Sequence, residues 1–289
     1  MLIKSIAPWF GSKRRLAPDI VGELGTHRSY WEPFCGSMSV LLSKPPSSME
    51  TVNDLHGDLV NLARVIQHET DGPRLYRRLR RSIMSRALHG DAAEVINGSD
   101  CTQYDPERAY WYFVSTWLGR NGVAGTKSYN MGYCARYTAS GAHGATRFRS
   151  AIESIPAWRR RMRHVVVESV DGIEMLQRIE DAPEAAIYCD PPYLVKGARY
   201  VYDFASDDHQ RLADALSRFE RARVVVSYYD HPRLVDLFPD WTIRRLKATK
   251  AMVNQGMRDR GGAVEAPEVL LTNGPSYVTA NGLFAGGAA

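Results

Sequence analysis

The chain has 289 residues, 44% of them hydrophobic and 24% charged, which is enough for one large domain or for a core with a sizeable insertion. Its formal charge of +5 and isoelectric point near 9.0 suit a polyanionic partner, although many basic proteins bind no nucleic acid. No signal-peptide pattern opens the chain, and no apolar run approaches the roughly 20 residues of a membrane helix. We therefore expect a soluble, cytoplasmic protein that has no membrane partner.

The cysteines indicate neither a zinc site nor a disulfide framework. Cys35, Cys101, Cys134 and Cys189 are far apart in the sequence and form no C-x-x-C pair. We expect reduced thiols and no bound metal.

The N-terminal stretch combines an aromatic pair, a glycine and a lysine, over residues 9–13, just ahead of a predicted helix over 16–24. This arrangement suits the lip of a cofactor site. From this stretch alone, an N-terminal arm whose aromatic rings pack on the domain is the simpler interpretation.

A short strand near residues 30–32 leads into a tight turn built on Pro33 and Gly36, and an amphipathic helix is predicted to follow, to about residue 42. A strand, a small-residue loop and a helix let backbone N–H groups face an anionic or polar ligand. Neither the Walker spacing nor G-x-G-x-x-G is present, which argues against a nucleoside triphosphate or NAD as the ligand.

The next predicted strand, over residues 51–54, ends in an acid. Asp54 lies about 20 residues beyond the glycine turn, where nucleoside-binding folds place the carboxylate that holds the ribose hydroxyls. A helix over 56–67 is predicted to follow.

Between residues 64 and 163 the chain is rich in basic and aromatic residues and loses the alternation of strands and helices. A strongly basic helical stretch over 74–86 is better explained by a solvated charged face than by direct DNA contact. The aromatic stripe of a predicted helix over 106–118 favours core packing. A glycine-punctuated segment over 119–137 carries the side-chain types that read base edges and phosphates, and a dense basic cluster over 157–163 closes this part of the chain.

Alternating strands and helices then resume. Strands are predicted over 164–169, 185–189 and 223–227, and two last strands, over 242–246 and 268–273, are expected to pair antiparallel at the sheet edge. Helices are predicted over 172–179, after Asp171, and over 206–221. The pattern predicts a doubly wound α/β sheet interrupted by one inserted, mostly helical module. The Gly/Ala-rich end of the chain is expected to be disordered.

A buried strand that stops at an acid, two prolines and an aromatic is the centre of the sequence. Because Pro191 and Pro192 cannot extend a sheet or a helix, Asp190 is predicted to sit at the carboxyl end of its strand, where open parallel sheets bind ligands. A carboxylate accepts from an amino group and a tyrosine ring such as Tyr193 stacks on a planar heterocycle, so the pair suits an exocyclic amine on an aromatic base. A proline turn with a capping Asp explains the stretch equally well.

Four motifs in one order resemble the DNA adenine N6-methyltransferases of the Dam type, the D12 class. They are P-W-F-G-S-K over 8–13, E-P-F-C-G-S over 32–37, N-D over 53–54 and D-P-P-Y over 190–193. The resemblance spans nearly the whole chain. It implies a Rossmann-like methyltransferase sheet, S-adenosyl-L-methionine as methyl donor and double-stranded DNA as substrate.

The resemblance also implies the site residues. It places the cofactor against Trp9, Lys13, Phe34, Gly36, Asp54, Asp171 and Asp190. It makes Asp190, Pro191, Pro192 and Tyr193 the catalytic loop, in which Asp190 and the Pro191 carbonyl accept from the N6 amino group while Tyr193 stacks on a base flipped out of the duplex.

The implied domains are a discontinuous catalytic domain over 1–63 and 164–276, an inserted target-recognition domain over 64–163, and a tail over 277–289. Within the insertion, the candidates for base edges are Arg120, Asn121, Lys127, Tyr129, Asn130 and Arg136. The cluster that suits phosphates is Arg159, Arg160, Arg161 and Arg163.

Other interpretations stay open from the sequence. Methylation of cytosine N4 or of an RNA base uses the same amine chemistry, and a catalytically inactive DNA-binding relative is the alternative from another class. A monomer or weak dimer is expected, and a cognate restriction endonuclease acting on the same site is the candidate protein partner.

Overall fold

The computed structural model describes residues 2–119, 124–126, 132–134, 144–194, 201–246 and 268–278. Within those ranges no helix has the length and apolar character that a membrane crossing requires.

The described residues form a seven-stranded sheet with the order β3-β2-β1-β4-β5-β7-β6. Five neighbouring strands, from β3 to β5, are parallel, and β7 runs antiparallel to both β5 and β6. The strands are β1 Ser29–Glu32, β2 Met49–Asn53, β3 Val165–Glu168, β4 Ala185–Cys189, β5 Arg223–Tyr229, β6 Thr242–Arg245 and β7 Glu268–Thr272. The predicted α/β class and the antiparallel pair at the edge are confirmed.

Helices cover both faces of the sheet. They are α1 Ala17–Leu24, α2 Gly57–Gln67, α3 Asp71–Arg81, α4 Arg86–Asn97, α5 Pro106–Leu118, α6 Gly144–Met162, α7 Gly172–Arg178, α8 Ser206–Ser217 and α9 Arg233–Leu237. Alternate residues of β4 point to opposite faces, so Ala186 and Tyr188 pack in the core with α2 to α6, and Ile187 packs with α7 to α9. Since both faces of β4 are buried, its sequence is apolar throughout and does not alternate.

Two of the predicted helices differ in the structure. The helix expected after Gly36 is instead a run of turns to Lys44, and Met38 within it has a φ of 60°, which no helix residue adopts. The basic helix expected over 74–86 ends at Arg81, and Ser85 caps a separate helix, α4, by accepting from the Leu88 N–H at 3.0 Å.

The segment between α2 and β3 shares its core with the sheet. Buried side chains of α3, α5 and α6, such as Leu79, Phe113 and Ile152, belong to the same hydrophobic cluster as Tyr30 of β1 and Val52 of β2. The described part of this segment is mostly helical, as predicted. Its assignment as a target-recognition domain stays a prediction.

The first residue of the predicted tail is held in place. The Tyr277 N–H donates to Glu23 Oε2 at 3.0 Å, and the Arg223 guanidinium lies 4.0 Å from the Tyr277 ring centre. Residues 279–289 lie outside the described ranges.

A buried ion pair fixes α5 against the start of α2. Arg108 Nε and Nη2 donate to the two oxygens of Asp58 at 2.5 and 3.0 Å, and Arg108 Nη2 also donates to the Ser99 carbonyl at 2.6 Å. Both side chains are about 7% exposed or less. Because α2 begins three residues after Asp54, which follows β2, this contact stabilises one wall of the sheet edge described below.

We expect Arg108→Ala to lower the free energy of unfolding by about 3–5 kcal/mol, because it leaves the Asp58 charge buried without its partner. Chemical denaturation measures the change. The matched control is Arg78→Ala, which removes a guanidinium from an exposed pair with Glu107 and should cost less than about 1 kcal/mol. Equal costs for the two variants would contradict a structural role for the buried pair.

Candidate active site at the carboxyl edge of the sheet

A cavity of about 430 Å³ opens where the strand order reverses between β1 and β4. This switch point is where open α/β sheets bind ligands, and the volume lies within the range of small-molecule sites. All seven residues predicted to contact a cofactor line it: Trp9, Lys13, Phe34, Gly36, Asp54, Asp171 and Asp190. Pro191 and Pro192 line it too. The structure therefore brings the sequence motifs together on one surface.

Two glycines make room for the Trp9 ring. Gly36 has a φ of 44°, and a Cβ there would lie 2.7 Å from Trp9 Nε1. Gly125 has a φ of 85°, and a Cβ there would lie 2.5 Å from Trp9 Cζ2. Trp9 is thus packed between two backbones, so its position at the lip of the cavity depends on both glycines.

Asp54 holds the glycine turn. Its Oδ2 accepts from the Gly36 N–H at 2.8 Å and its Oδ1 from the His56 N–H at 2.9 Å. Burial raises the pKa of Asp54 above its usual value, against the opposing effect of those two N–H groups. Each carboxylate oxygen keeps further lone-pair capacity toward the cavity, so this structural role is compatible with binding of ribose hydroxyls.

Asn53 was not predicted as a site residue, and it ties three loops together. Its amide nitrogen donates to the Pro33 and Val170 carbonyls, both at 2.9 Å, and its oxygen accepts from the Val170 N–H at 2.9 Å. The loops after β1, β2 and β3 are therefore fixed relative to one another at the cavity floor.

An aromatic wall faces this floor. The Phe34 ring packs edge-on against Phe204, with ring centres 5.7 Å apart. A Cβ on Gly172 would lie 2.6 Å from Phe34 Cε1, so only glycine allows this packing. Next to it, Asp171 Oδ1 caps α7 by accepting from the Ile173 and Glu174 N–H groups at 2.8 and 3.0 Å.

Asp190 is held from two sides. Lys13 Nζ lies 2.9 Å from its Oδ2, and Ser227 Oγ donates to its Oδ1 at 2.8 Å. Burial works against the charged form of Lys13, but the charges of Asp190 and Glu268 outweigh it and raise the Lys13 pKa, so the ammonium stays protonated. The carboxylate is therefore an oriented acceptor that still has free lone pairs on both oxygens.

Tyr193 does not line the cavity. Its ring is 6% exposed, Lys13 Nζ stands 5.0 Å from the ring centre, and the Tyr229 ring packs edge-on at 4.5 Å. The stacking role of Tyr193 stays a prediction.

Glu32 is buried at the end of β1 beneath the turn. Tyr30 Oη donates to its Oε2 at 2.8 Å. Burial raises the pKa of Glu32 to about 8; the Tyr30 hydrogen bond opposes the rise, and the nearby charge of Asp190 adds to it. At neutral pH this carboxyl group is mostly protonated.

Several lining residues were not predicted as site residues. His56 contacts the Trp9 ring, with ring centres 5.4 Å apart, while Phe204 and Asp208 come from the segment after β4. Only the position of His56 two residues after Asp54 could have pointed to it. Among the described residues, no cluster of His, Cys, Asp or Glu is arranged to hold a metal ion.

The predicted base-reading residues Arg120, Asn121, Lys127, Tyr129, Asn130 and Arg136 lie outside the described ranges. Arg159 donates to the His68 and Glu69 carbonyls at 3.5 and 3.3 Å, and Arg160 is exposed. Both lie near the C-terminus of α6, just before β3, at the amino edge of the sheet. Their predicted phosphate contacts would therefore be made at the edge opposite the cavity.

Arg161 differs from its neighbours. Its Nη1 and Nη2 donate to the two oxygens of Glu50 at 2.5 and 2.8 Å, and Lys44 Nζ lies 2.6 Å from Glu50 Oε1. The guanidinium is thus committed to a network within the fold. The interpretation that Arg161 serves phosphates together with its neighbours has no support in this arrangement.

The sequence matches the model of the D12 class of N6 adenine-specific DNA methyltransferases over residues 9–252. The chain belongs to this family. Its match covers most of the chain, from Trp9 of the first motif through the D-P-P-Y motif, so the family resemblance predicted from those motifs is confirmed. Methyl transfer to adenine in DNA is the general activity that membership supports.

The chain is also similar to a known DNA adenine methylase. The chain is 24% identical over 278 residues to the Retron Ec67 DNA adenine methylase of Escherichia coli, covering 94% of this chain and 92% of the relative. The protein LPL1258 from Legionella pneumophila str. Philadelphia 1 aligns with 97% of this D12-class chain and 87% of its own, at 14% identity and a TM-score of 0.31. A TM-score of that size does not show a shared fold.

The raised Glu32 pKa predicts a pH-dependent stability. The folded protein binds this proton more tightly than the unfolded chain, so the associated stabilisation is fully present below about pH 4.5 and is lost as the pH rises through about 8. Glu32→Gln should remove that loss, so that the variant gains stability relative to the wild type between pH 5 and 9. Urea unfolding across that pH range measures it.

The control is Glu94→Gln, which changes an exposed carboxylate on α4 and should leave the pH profile of the wild type unaltered. If Glu32→Gln also keeps the wild-type profile, Glu32 does not titrate in this range.

Proposed function

We propose that this chain transfers a methyl group from S-adenosyl-L-methionine to N6 of an adenine flipped out of duplex DNA. The observation that carries the proposal is the position of Asp190. It is an oriented carboxylate at the switch point, on a cavity lined by the residues of all the other motifs.

The cavity fits the proposed cofactor. Phe34 and Phe204 offer apolar faces to an adenine ring, and Asp54 keeps acceptor capacity for ribose hydroxyls. Gly36 fits because a Cβ there would collide with Trp9, so the lip has its shape only with glycine. When bound, S-adenosyl-L-methionine supplies an electrophilic methyl group.

Asp190 is proposed to prepare the substrate nitrogen. The N6 lone pair of adenine is delocalised into the ring, so the nitrogen becomes a better nucleophile when its N–H groups are held and it turns more tetrahedral. Asp190 and the Pro191 carbonyl would accept from those groups. Lys13 and Ser227 fix the carboxylate before the substrate arrives, and such preorganised electrostatics need no rearrangement during reaction.

Duplex DNA is proposed as the substrate. The adenine is proposed to flip out, because chemistry on a paired base requires that the base leave the stack. Family membership favours adenine over cytosine N4 or an RNA base. Asp54, Asp171 and Asp190, the carboxylates assigned to the cofactor and to catalysis, all line the cavity, which favours an active enzyme over an inactive relative. A cytoplasmic location, a monomer or weak dimer, and a cognate restriction endonuclease stay predictions from the sequence.

Asp190→Asn should lower single-turnover methyl transfer by about 10²- to 10³-fold, the range for loss of one preorganised electrostatic contact. The assay follows labelled methyl groups from S-adenosyl-L-methionine into a DNA duplex, and digestion to nucleosides identifies the methylated base. N6-methyladenine is the expected product. The control is Asp236→Asn, an exposed carboxylate on α9.

A near wild-type rate for Asp190→Asn would show that the carboxylate only terminates its strand. N4-methylcytosine as the product, or transfer to RNA alone, would contradict the proposed substrate. Circular dichroism of each variant separates loss of activity from loss of fold.

Gly172→Ala should weaken binding of S-adenosyl-L-methionine about tenfold, because the new Cβ displaces Phe34 and such overpacking costs about 1–3 kcal/mol. Isothermal titration calorimetry measures the affinity. Gly90→Ala is the control, since nothing lies within 4 Å of its Cβ position, in the middle of α4. Unchanged affinity for Gly172→Ala would place the cofactor away from the Phe34 wall.

A further inference from the structure

An exposed isoleucine stands at the turn that joins α3 to α4, which we call the α3–α4 corner (residues 81–86). The Ile83 side chain is 79% exposed, more than any other large hydrophobic side chain in the described ranges. A single exposed apolar residue is ordinary on a protein surface. What sets Ile83 apart is the charge around it.

Several arginines precede Ile83 in the sequence. On α3, Arg74, Arg78 and Arg80 each have an acidic partner. Within the part of the chain that the structure describes, Arg77 and Arg81 form no ion pair, and both are exposed. This surface combines positive charge with one protruding apolar side chain. The charge suits the phosphates of a nucleic acid, and the apolar side chain suits its stacked bases.

The corner lies beside the start of α6. Arg149 Nη1 donates to the Arg80 carbonyl at 2.8 Å, and a Cβ on Gly144 would lie 2.8 Å from Met84 Cε. Arg159, near the other end of α6, packs near Gly72 at the start of α3. The two helices therefore run antiparallel, and the corner is at the end of α3 away from the amino edge of the sheet.

The same corner contacts the segment that reaches the cavity. The Arg86 guanidinium lies 5.1 Å from the Tyr133 ring centre, and Tyr133 pairs with Gly119. Earlier in that segment, Ala124 pairs with Trp9 and Gly125 lines the cavity. Tyr133 follows Gly125 by eight positions, so their Cα atoms are at most about 29 Å apart.

We propose that the α3–α4 corner is a contact site for duplex DNA, with Ile83 entering a groove and Arg77, Arg81 and Arg86 facing phosphates. This inference rests on the proposed function, because the duplex is the one whose adenine occupies the cavity. Apolar side chains that enter the minor groove separate neighbouring bases, while arginines supply affinity without sequence information. The corner would thus hold the duplex while one of its bases leaves the stack.

The charge part of the proposal is tested by salt dependence. Arg81→Ala should weaken binding to every duplex sequence and lower the slope of log K against log salt by about 0.9, the value for one phosphate contact. Fluorescence anisotropy on a labelled duplex measures both. The control is Arg178→Ala, an exposed arginine on α7 at the other face of the sheet, which should change neither.

The apolar part is tested at Ile83. Ile83→Asn should weaken duplex binding about tenfold, whereas Ile83→Leu, which keeps the apolar volume, should retain it. Val235→Asn is the control, because Val235 is 63% exposed on α9 at the other face. Side chains this exposed can change without loss of the fold, which circular dichroism verifies.

Wild-type binding by both Arg81→Ala and Ile83→Asn, with an active wild-type enzyme, would overturn the inference. It would also be overturned if Ile83→Asn altered the sedimentation coefficient but not DNA affinity, since the corner would then join two copies of the chain. Failure of the proposed function looks different: the wild type would transfer no methyl group to adenine, while these variants would still lose duplex affinity and support the contact site.

Discussion

The ion pair between Lys13 and Asp190 is the contact around which the site is arranged. It joins the N-terminal stretch to the end of β4, with the ammonium 5% exposed and the carboxylate 22% exposed. A buried pair of this kind contributes little net stability, because desolvation offsets the attraction. Its effect is to orient the Asp190 carboxylate. Lys13 also donates a hydrogen bond to the Gly11 carbonyl at 2.8 Å, and Ser227 donates to the other Asp190 oxygen. The N-terminal stretch is thereby placed over the switch point.

The strands were predictable because burial leaves a strong local pattern. The five residues of β4 are all buried, and the run stops at Asp190 and two prolines, so both type and boundary can be inferred from the sequence. Helix α5 carries its own start signal, since Asp105 accepts from the Glu107 and Arg108 N–H groups ahead of an aromatic stripe. In these elements local preference and tertiary packing agree.

The turn after Gly36 shows why other parts were not predictable. Its sequence has helical periodicity, yet distant groups bind its backbone: Asp54 accepts from the Gly36 N–H, and the Ile6 N–H donates to the Ser37 carbonyl at 3.1 Å. Those contacts come from the N-terminal stretch and from the residue that follows β2, and they override a local preference. Ser227 and the structural role of Asn53 were missed for a related reason. Their roles depend on which strands become neighbours, and β4 pairs with β5 so that Cys189 faces Val226, which puts Ser227 beside Asp190.

The acids that follow β2, β3 and β4 all lie at the carboxyl edge of the sheet, but their side chains have different partners. Asp54 accepts from two backbone N–H groups and so shapes the glycine turn, Asp171 caps α7, and only Asp190 is held chiefly by a side-chain cation. A carboxylate whose partners are side chains can be turned toward a substrate without unfolding a loop or uncapping a helix. Of these three acids, Asp190 is therefore the one that can act on a substrate without disturbing the backbone around it. Asp54 and Asp171 instead hold the backbone that forms the cavity.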